Sequence, residues 1–455
     1  MKYLKSFLKY LQQTSAVQQR PLMANSLENI DQVVVIPCFA ESRYLFKTLY
    51  SLVCNPAADL LRTLILCVVN NGSPQKTRPN DLKDNQLTLN GLSMLITGRA
   101  QKDLTQLFDF PELFQRILKT KIRLSCIDAS SAGFELPDHE CGVGTARKIG
   151  LDAALGLLDS QKDFPLLLYC LDADTIVENN YLSSVRNFFE SRKTTAAYVS
   201  FAHQDAEDDS MQQAILCYEI FLRYYVTGLY YARSPYAFHT VGSTIICTAD
   251  GYAAVRGMNK RRAGEDFYFL NKLAKLDGIA CIKSTTVYPS SRTSQRVPFG
   301  TGQGMLKVNR EGKDNYLVYH PDVFAILMKW LEHVEHEEHK NVESLMKAAN
   351  AIHPLLESFL QLKKFPEKWR RMSSNNHDPI ELKRQFHQWL DGFKTLKLIH
   401  YLSQNGIAAI NMFDAVDQML NMLNIHFPMT YDQNNLLQRE EQRRLLNFLR
   451  TEIPV

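Results

Sequence analysis

The sequence predicts an α/β fold, with a mostly parallel central sheet followed by a C-terminal α-helical region. Three observations carry that expectation. β-branched or apolar runs alternate with helical stretches between Gln32 and Asp174, the rhythm of βαβ units. One run, Leu166-Leu167-Leu168-Tyr169-Cys170-Leu171, carries no charge, suits a strand buried on both faces, and stops at Asp172-Ala173-Asp174. From about Asp322 onward apolar residues recur at helical spacing, as in Phe324, Leu327, Met328 and Leu331, with Pro354, Pro366 and Pro379 as punctuation.

The elements follow in order. Residues 1–11 read as a short basic amphipathic helix, with Leu4, Phe7, Leu8 and Leu11 on one face and Lys2, Lys5 and Lys9 mostly elsewhere. Such a helix can lie on an anionic membrane surface or dock on its own protein, and docking is the expectation. Gln32 to Pro37 is a β-branched strand, followed by Cys38-Phe39-Ala40-Glu41-Ser42 and a helix from about Tyr44. Leu64 to Val69 is a second buried strand that runs into the turn Asn70-Asn71-Gly72-Ser73. Residues 73–92, polar and rich in Asn, Asp and Lys, read as a surface loop. A helix over 100–118 leads to a third strand, Ile122 to Asp128, and Cys141-Gly142-Val143-Gly144-Thr145-Ala146-Arg147 opens a helix to Leu158.

Asp172 and Asp174 then stand where open α/β sheets place their chemistry, at the carboxyl end of a buried strand. Two close carboxylates repel unless a cation offsets them, and a hard ion such as Mg²⁺ or Mn²⁺ suits oxygen donors. Solvated loop acids or a helix N-cap are the plainer alternatives. Further on, Ala196 to Phe201 reads as a strand and Met211 to Tyr231 as an aromatic-rich helix, more readily core than a sugar-stacking platform. Gly242 introduces another strand, where backbone can approach a ligand closely. Glu265 and Asp266 open a helix, where acids also serve the helix dipole. Arg292 and Arg296, four apart before Gly300-Thr301-Gly302, suit an anionic ligand.

Composition narrows the function. The 455 residues are 45% hydrophobic and 22% charged, ordinary globular material for two or three domains. A net charge of +4 is too small to argue for nucleic acid as a partner. Nine cysteines occur singly, and Cys67, Cys126, Cys170 and Cys247 lie inside apolar runs, as small core residues in a reducing compartment do. No apolar stretch is long enough to span a bilayer, and no secretory signal is evident. A cytoplasmic protein is expected, with peripheral membrane contact through residues 1–11 as an added possibility.

Four pieces in this order, Val-Ile-Pro-Cys-Phe-Ala-Glu-Ser, Val-Val-Asn-Asn-Gly-Ser, a glycine-led helix with Ala-Arg, and Leu-Asp-Ala-Asp-Thr, resemble the nucleotide-binding half of family 2 glycosyltransferases. The resemblance covers about residues 30–300 and implies a GT-A fold that binds a nucleoside-diphosphate sugar. Together with the helical periodicity from about Asp322, it divides the chain into an extension over 1–28, a catalytic domain over 29–318 and a helical domain over 319–455. It also implies inverting transfer to an acceptor hydroxyl, carbohydrate or lipid-linked.

By the same resemblance Asp266 is the catalytic base, with Glu265 as the fallback. Asp174 holds Mg²⁺ or Mn²⁺, with Asp172 assisting or touching the ribose. Pro37, Glu41, Arg147, Arg292 and Arg296 are donor-binding candidates. The family usually has an acid at the end of the second strand to read the base, and here Asn70 and Asn71 stand in its place. Two other readings stay open. A sugar-nucleotide pyrophosphorylase would need a glycine- and arginine-rich loop after the first strand, which Cys38-Phe39-Ala40-Glu41 does not supply. A non-catalytic nucleotide-sugar-binding module has the Asn70-Asn71 departure as its support.

Overall fold

The structure is a computed structural model that describes residues 9–10, 12, 20–99, 111–120, 122–158, 165–261, 264–292, 316–336, 341–376, 378–430 and 437–454. These group into two compact units. The first draws on Met1–Asp205 and Thr240–Ser291, the second on Ala206–His239 and Thr301–Val455, together with Arg292.

The first unit begins with β1 (Leu22–Ala24), β2 (Gln32–Cys38), α1 (Ser42–Val53), α2 (Ala57–Leu60) and β3 (Thr63–Asn70). It continues through α3 (Pro79–Thr97), α4 (Pro111–Lys119), β4 (Arg123–Ala129), α5 (Val143–Leu157) and β5 (Leu167–Cys170). Then come β6 (Ile176–Val177), α6 (Tyr181–Ser191) and β7 (Ala196–Phe201). Helix α7 (Asp209–Tyr231) belongs to the second unit. The first resumes with β8 (Ile245–Thr248), α8 (Ala249–Ala254), α9 (Glu265–Asp277) and β9 (Ala280–Tyr288).

Among the described residues the nine strands form one sheet in the order β1-β4-β3-β2-β5-β8-β7-β9-β6. The long ladders β4-β3-β2-β5 are parallel, β8 runs antiparallel to β5 and β7, and β9 is parallel to β7. Every residue of β2, β3 and β5 is buried, which is why these strands read as unbroken apolar runs. Strand β2 comes first of the parallel set yet lies inside it, with β3 and β4 to one side and β5 to the other. The connections leaving the carboxyl ends of β2 and β5 therefore diverge, which creates the crevice where open α/β sheets bind ligands. Helix α5 packs closely on this part of the sheet: a Cβ on Gly150 would sit 2.3 Å from Val35 Cγ1.

Two sequence expectations need correction. Residues 79–92 of the expected surface loop belong to helix α3, which continues to Thr97, with Asn85, Thr88, Leu89, Leu92 and Met94 buried. Pro79 occupies the first turn, where its fixed φ and missing N–H cost nothing, and Gly98 ends the helix at φ 69°. Polarity misled because Asn85 is satisfied internally. The strand expected from Gly242 starts later, at Ile245, after a 3₁₀ turn over Gly242–Thr244. The strands expected over Gln32–Pro37, Leu64–Val69, Ile122–Asp128, Leu166–Leu171 and Ala196–Phe201 lie where the sequence put them, to within two residues, whereas β1, β6 and β9 were not expected. Of the helix expected over 100–118, residues 100–110 lie outside the described residues.

The leading segment is anchored where it is described. Lys9 and Tyr10 are helical, and Tyr10 is buried. Its hydroxyl donates to Asp152 Oδ1 (2.8 Å) and accepts from Lys148 Nζ (2.6 Å), while its ring meets Tyr252 edge-on. Gly257 is required here twice over, by its φ of 69° and because a Cβ would lie 2.0 Å from the Tyr10 hydroxyl. Residues 1–8 and 11 of the expected amphipathic helix lie outside the described residues. No helix among the described residues is long and apolar enough to cross a membrane.

The second unit contains α7 and eight more described helices. They are α10 (Asp322–His336), α11 (Val342–Ile352), α12 (Pro354–Leu362), α13 (Phe365–Asn375), α14 (Pro379–Trp389), α15 (Gly392–Asn405), α16 (Met412–Met422) and α17 (Arg439–Thr451). A short antiparallel ladder pairs β10 (Leu317–Val318) with β11 (Ile410–Asn411). The three prolines start helices rather than break them, each within a first turn. Trp330, Phe365, Trp369 and Phe386 fill the core. The aromatic run of α7 is mostly packing: Tyr224 and Tyr225 meet Phe324 edge-on, and Gly228 admits the Phe324 ring against the helix.

Candidate functional site

Strand β5 ends with a ladder bond from Leu171 N to Val35 O (3.1 Å), and the chain then turns, with Thr175 N donating to Asp172 O (3.1 Å). Both intervening carbonyls are tied down. Thr48 Oγ1 on α1 donates to Ala173 O (2.9 Å), and Gln204 Nε2 donates to Asp174 O (2.9 Å). A backbone held at three points fixes where Asp172 and Asp174 project, and both side chains are half-buried. Asp172 and Asp174 thus mark the carboxyl end of β5, as their place in the sequence suggested.

Arg147, in the first turns of α5, is 2% exposed. One guanidinium nitrogen donates to Asp172 Oδ1 and the other to Glu265 Oε1, so the side chain ties the β5 turn to the start of α9. Burial pulls the guanidinium's pKa down, but Asp172 and Glu265 outweigh it and keep it charged. Two glycines make the arrangement possible. A Cβ on Gly242 would lie 2.4 Å from Arg147 Nη2, so this glycine makes room for an arginine rather than for a ligand. A Cβ on Gly144 would lie 2.4 Å from the Arg261 carbonyl oxygen, in the loop that leads into α9.

Burial raises Glu265 to about 7, with Arg147 pulling the other way and Asp266 adding to the rise. Asp266 is also raised, by burial first, against the opposing pull of Arg147. Its Oδ1 accepts from Phe267 N (2.7 Å), which holds it at the helix mouth. These shifts set a pH dependence. A carboxyl raised from 4.5 to about 7 binds its proton more tightly folded than unfolded. Its contribution to stability is therefore present at low pH and is lost as pH rises from about 4.5 through about 7. Urea unfolding at pH 5, 6, 7 and 8 should show this decline in the wild type and a flatter profile in Glu265→Gln. Parallel profiles would show that Glu265 does not titrate in that window.

The ends of β2 and β3 form the other wall of the crevice. Pro37 is buried in β2 opposite Val68, and Glu41 is buried as the residue that begins α1. Ala40 has φ 53°, the left-handed region that a residue with a Cβ enters at a cost. Asn70 and Asn71 are 3% and 1% exposed, and they differ in their engagement. Asn71 donates to Gly72 O (2.8 Å) and accepts from Asn85 Nδ2 (2.9 Å), so its carboxamide is committed to the fold. Asn70 has no side-chain hydrogen-bond partner among the described residues, which leaves its carboxamide with both donor and acceptor unused. Arg292 groups with the second unit, and Arg296 lies outside the described residues.

No sequence signal singles out Asn85, because it lies in a stretch whose polarity reads as a loop. Arg147 was singled out, but as a ligand for diphosphate. Its two carboxylate partners lie 25 and 118 residues away in sequence, a separation no local signal bridges.

For a divalent cation the donor set is Asp174 and the oxygen of Asp172 not bonded to Arg147. No group of three or more His, Cys, Asp or Glu among the described residues could hold a metal ion. Two carboxylates fit Mg²⁺ or Mn²⁺ where ligand phosphates complete the coordination, the usual arrangement for Mg²⁺.

No protein-family model matches this sequence, and no curated protein matches it significantly. Solved structures similar to it include residues 1–349 of TarS from S. aureus, at 11% identity and TM-score 0.35, covering 90% of this chain and 97% of that one. The same protein in complex with UDP-GlcNAc gives 12% and 0.36, with the same coverage. The mannosyltransferase PcManGT from Pyrobaculum calidifontis, in complex with GDP-Man and Mn²⁺, gives 12% and 0.34 over 88% of this chain and 93% of that one. Superpositions this loose carry no argument about chemistry.

Proposed function

We propose that this chain is an inverting glycosyltransferase that moves a sugar from a nucleoside-diphosphate sugar to an acceptor hydroxyl, carbohydrate or lipid-linked, with Mg²⁺ or Mn²⁺. The observation that carries the reading is the pair Asp172 and Asp174 on an anchored turn at the switch point of the sheet, with Glu265, next to Asp266 in the chain, tied to Asp172 through Arg147. The order of these motifs, which resembles that of family 2 glycosyltransferases, supports it further.

In this reading Asp174 and Asp172 would hold the cation. When bound there, it would supply charge neutralisation for the leaving diphosphate. Arg147, already engaged by two carboxylates, acts as a positioning residue and does not bind the diphosphate. Asp266 accepts the proton of the acceptor hydroxyl as that oxygen attacks the anomeric carbon, and its raised pKa makes it a better base than an exposed aspartate. One base opposite the leaving group gives inversion. Asn70 rather than Asn71 faces the base of the nucleotide, because only its carboxamide is unspent.

The test is calorimetric titration of UDP and GDP, with and without Mn²⁺, into the wild type, Asp174→Ala and Asn70→Ala. Asp174→Ala should abolish most of the Mn²⁺-dependent affinity, and Asn70→Ala should change the ratio of UDP to GDP affinity. Unchanged metal-dependent binding in Asp174→Ala would sink the metal assignment. Binding without turnover of any UDP-, GDP- or dTDP-sugar would favour the non-catalytic module instead.

A further inference from the structure

We propose that Asn85 is a positioning residue for the nucleotide: one buried carboxamide that locks the two loops forming the wall of the crevice. The inference rests on the reading of that crevice as a nucleotide site. Asn85 lies on α3 with no exposed surface, so an unpaired polar group there would be costly, and all of its bonds reach toward the ligand-facing ends of β2 and β3. Its Oδ1 accepts from Ala40 N (2.8 Å). Its Nδ2 donates to Asn70 O (3.1 Å) and to Asn71 Oδ1 (2.9 Å).

Each bond has a consequence. The first holds Ala40 at φ 53°, a strained conformation of the kind that persists only where its surroundings over-determine it. The preceding residue on α3 reinforces this, since Asp84 accepts from Ser42 N (3.0 Å) and Ser42 Oγ (2.6 Å) just beyond Ala40. The other two bonds fix the amide orientations in sequence. Because Ala40 N must meet an oxygen, the amino group of Asn85 faces β3. It then meets the oxygen of Asn71, whose own amino group is left to bond Gly72 O (2.8 Å). The Asn70 carbonyl is held from the same amino group, which sets the direction of the Asn70 side chain at the strand end. A hydrophobic residue of the same volume could pack here but could not transmit orientation.

The experiment titrates UDP and GDP, each with Mn²⁺, into the wild type, Asn85→Ala, Asn85→Asp and the double variant Ala40→Gly/Asn85→Ala, at a temperature where each is folded. Asn85→Asp keeps an acceptor for Ala40 N but loses the donors to Asn70 and Asn71. Asn85→Ala and Asn85→Asp should each bind the preferred nucleotide about ten-fold or more weakly, the worth of about one lost hydrogen bond. Ala40→Gly/Asn85→Ala should recover part of that loss, because glycine adopts the left-handed conformation unaided. In the wild type the Ala40 amide should exchange its hydrogen slowly, and more slowly still with nucleotide bound. Affinities within two-fold of wild type in both single variants, with only the melting temperature lowered, would overturn the proposal and leave the nucleotide site standing. Fast exchange at Ala40 would overturn it without any variant. A wild type that binds neither nucleotide would overturn the site reading, and this proposal with it.

Discussion

Replacing Asp266 by Asn should lower sugar transfer by about 10²–10⁴-fold while leaving donor affinity nearly intact. A general base acts in the transition state, so its loss falls on turnover rather than on binding. Asp266 is the acid suited to the task. It sits in the first turn of α9, partly exposed, with its pKa raised by burial, whereas its neighbour Glu265 is 3% exposed and bound to Arg147. Adjacent residues at a helix start point in different directions, and here only one of them is free to meet an acceptor. Glu265→Gln should therefore act mainly through stability. The measurement is initial rate and donor affinity for both variants. If Asp266→Asn keeps more than about a tenth of wild-type turnover, the base lies elsewhere.

Replacing Arg147 by Met should destabilise the protein by about 3–5 kcal/mol near neutral pH. Removing one partner of a buried ion cluster leaves the others desolvated and unpaired, which costs far more than the intact cluster contributes. Asp172 keeps a third of its side chain exposed and can recover some hydration, but Glu265 cannot. The loss should therefore shrink at pH 5, where Glu265 carries its proton, and should be largest above pH 7. Adding Glu265→Gln to Arg147→Met should restore part of the stability, because the neutral amide needs no counter-charge. Urea unfolding of the two variants at pH 5 and pH 8 decides the matter. Equal stability of wild type and Arg147→Met at pH 8 would mean that the cluster is not buried in solution.

Much of the first unit was legible because its strands are buried on both faces. Such strands cannot alternate polar and apolar residues, so Val33 to Ile36, Leu64 to Val69 and Leu166 to Leu171 stand out against their surroundings. The acids after β5 were legible for a related reason: a charge that follows such a run marks the point where the chain leaves the core. Helix α3 was not legible. The rule that polar stretches are loops fails when a polar residue is buried for its hydrogen bonds, as Asn85 is.

From its residues alone this chain determined its class, the order of its buried parallel strands, the helical character of its later part, and the positions of Asp172, Asp174, Glu265 and Asp266 at element ends. Those are properties of local patterning and turn chemistry, read within a window of about a dozen residues. Only the tertiary structure decided what each polar group does. It gave Arg147 to Asp172 and Glu265, committed Asn71 to Asn85 and left Asn70 unspent, and assigned Gly242 to an arginine rather than to a ligand. The reason is physical. A strand is selected by the area it buries, which sequence displays, whereas a hydrogen bond or ion pair is selected by which atoms the completed sheet brings within about 3 Å of each other.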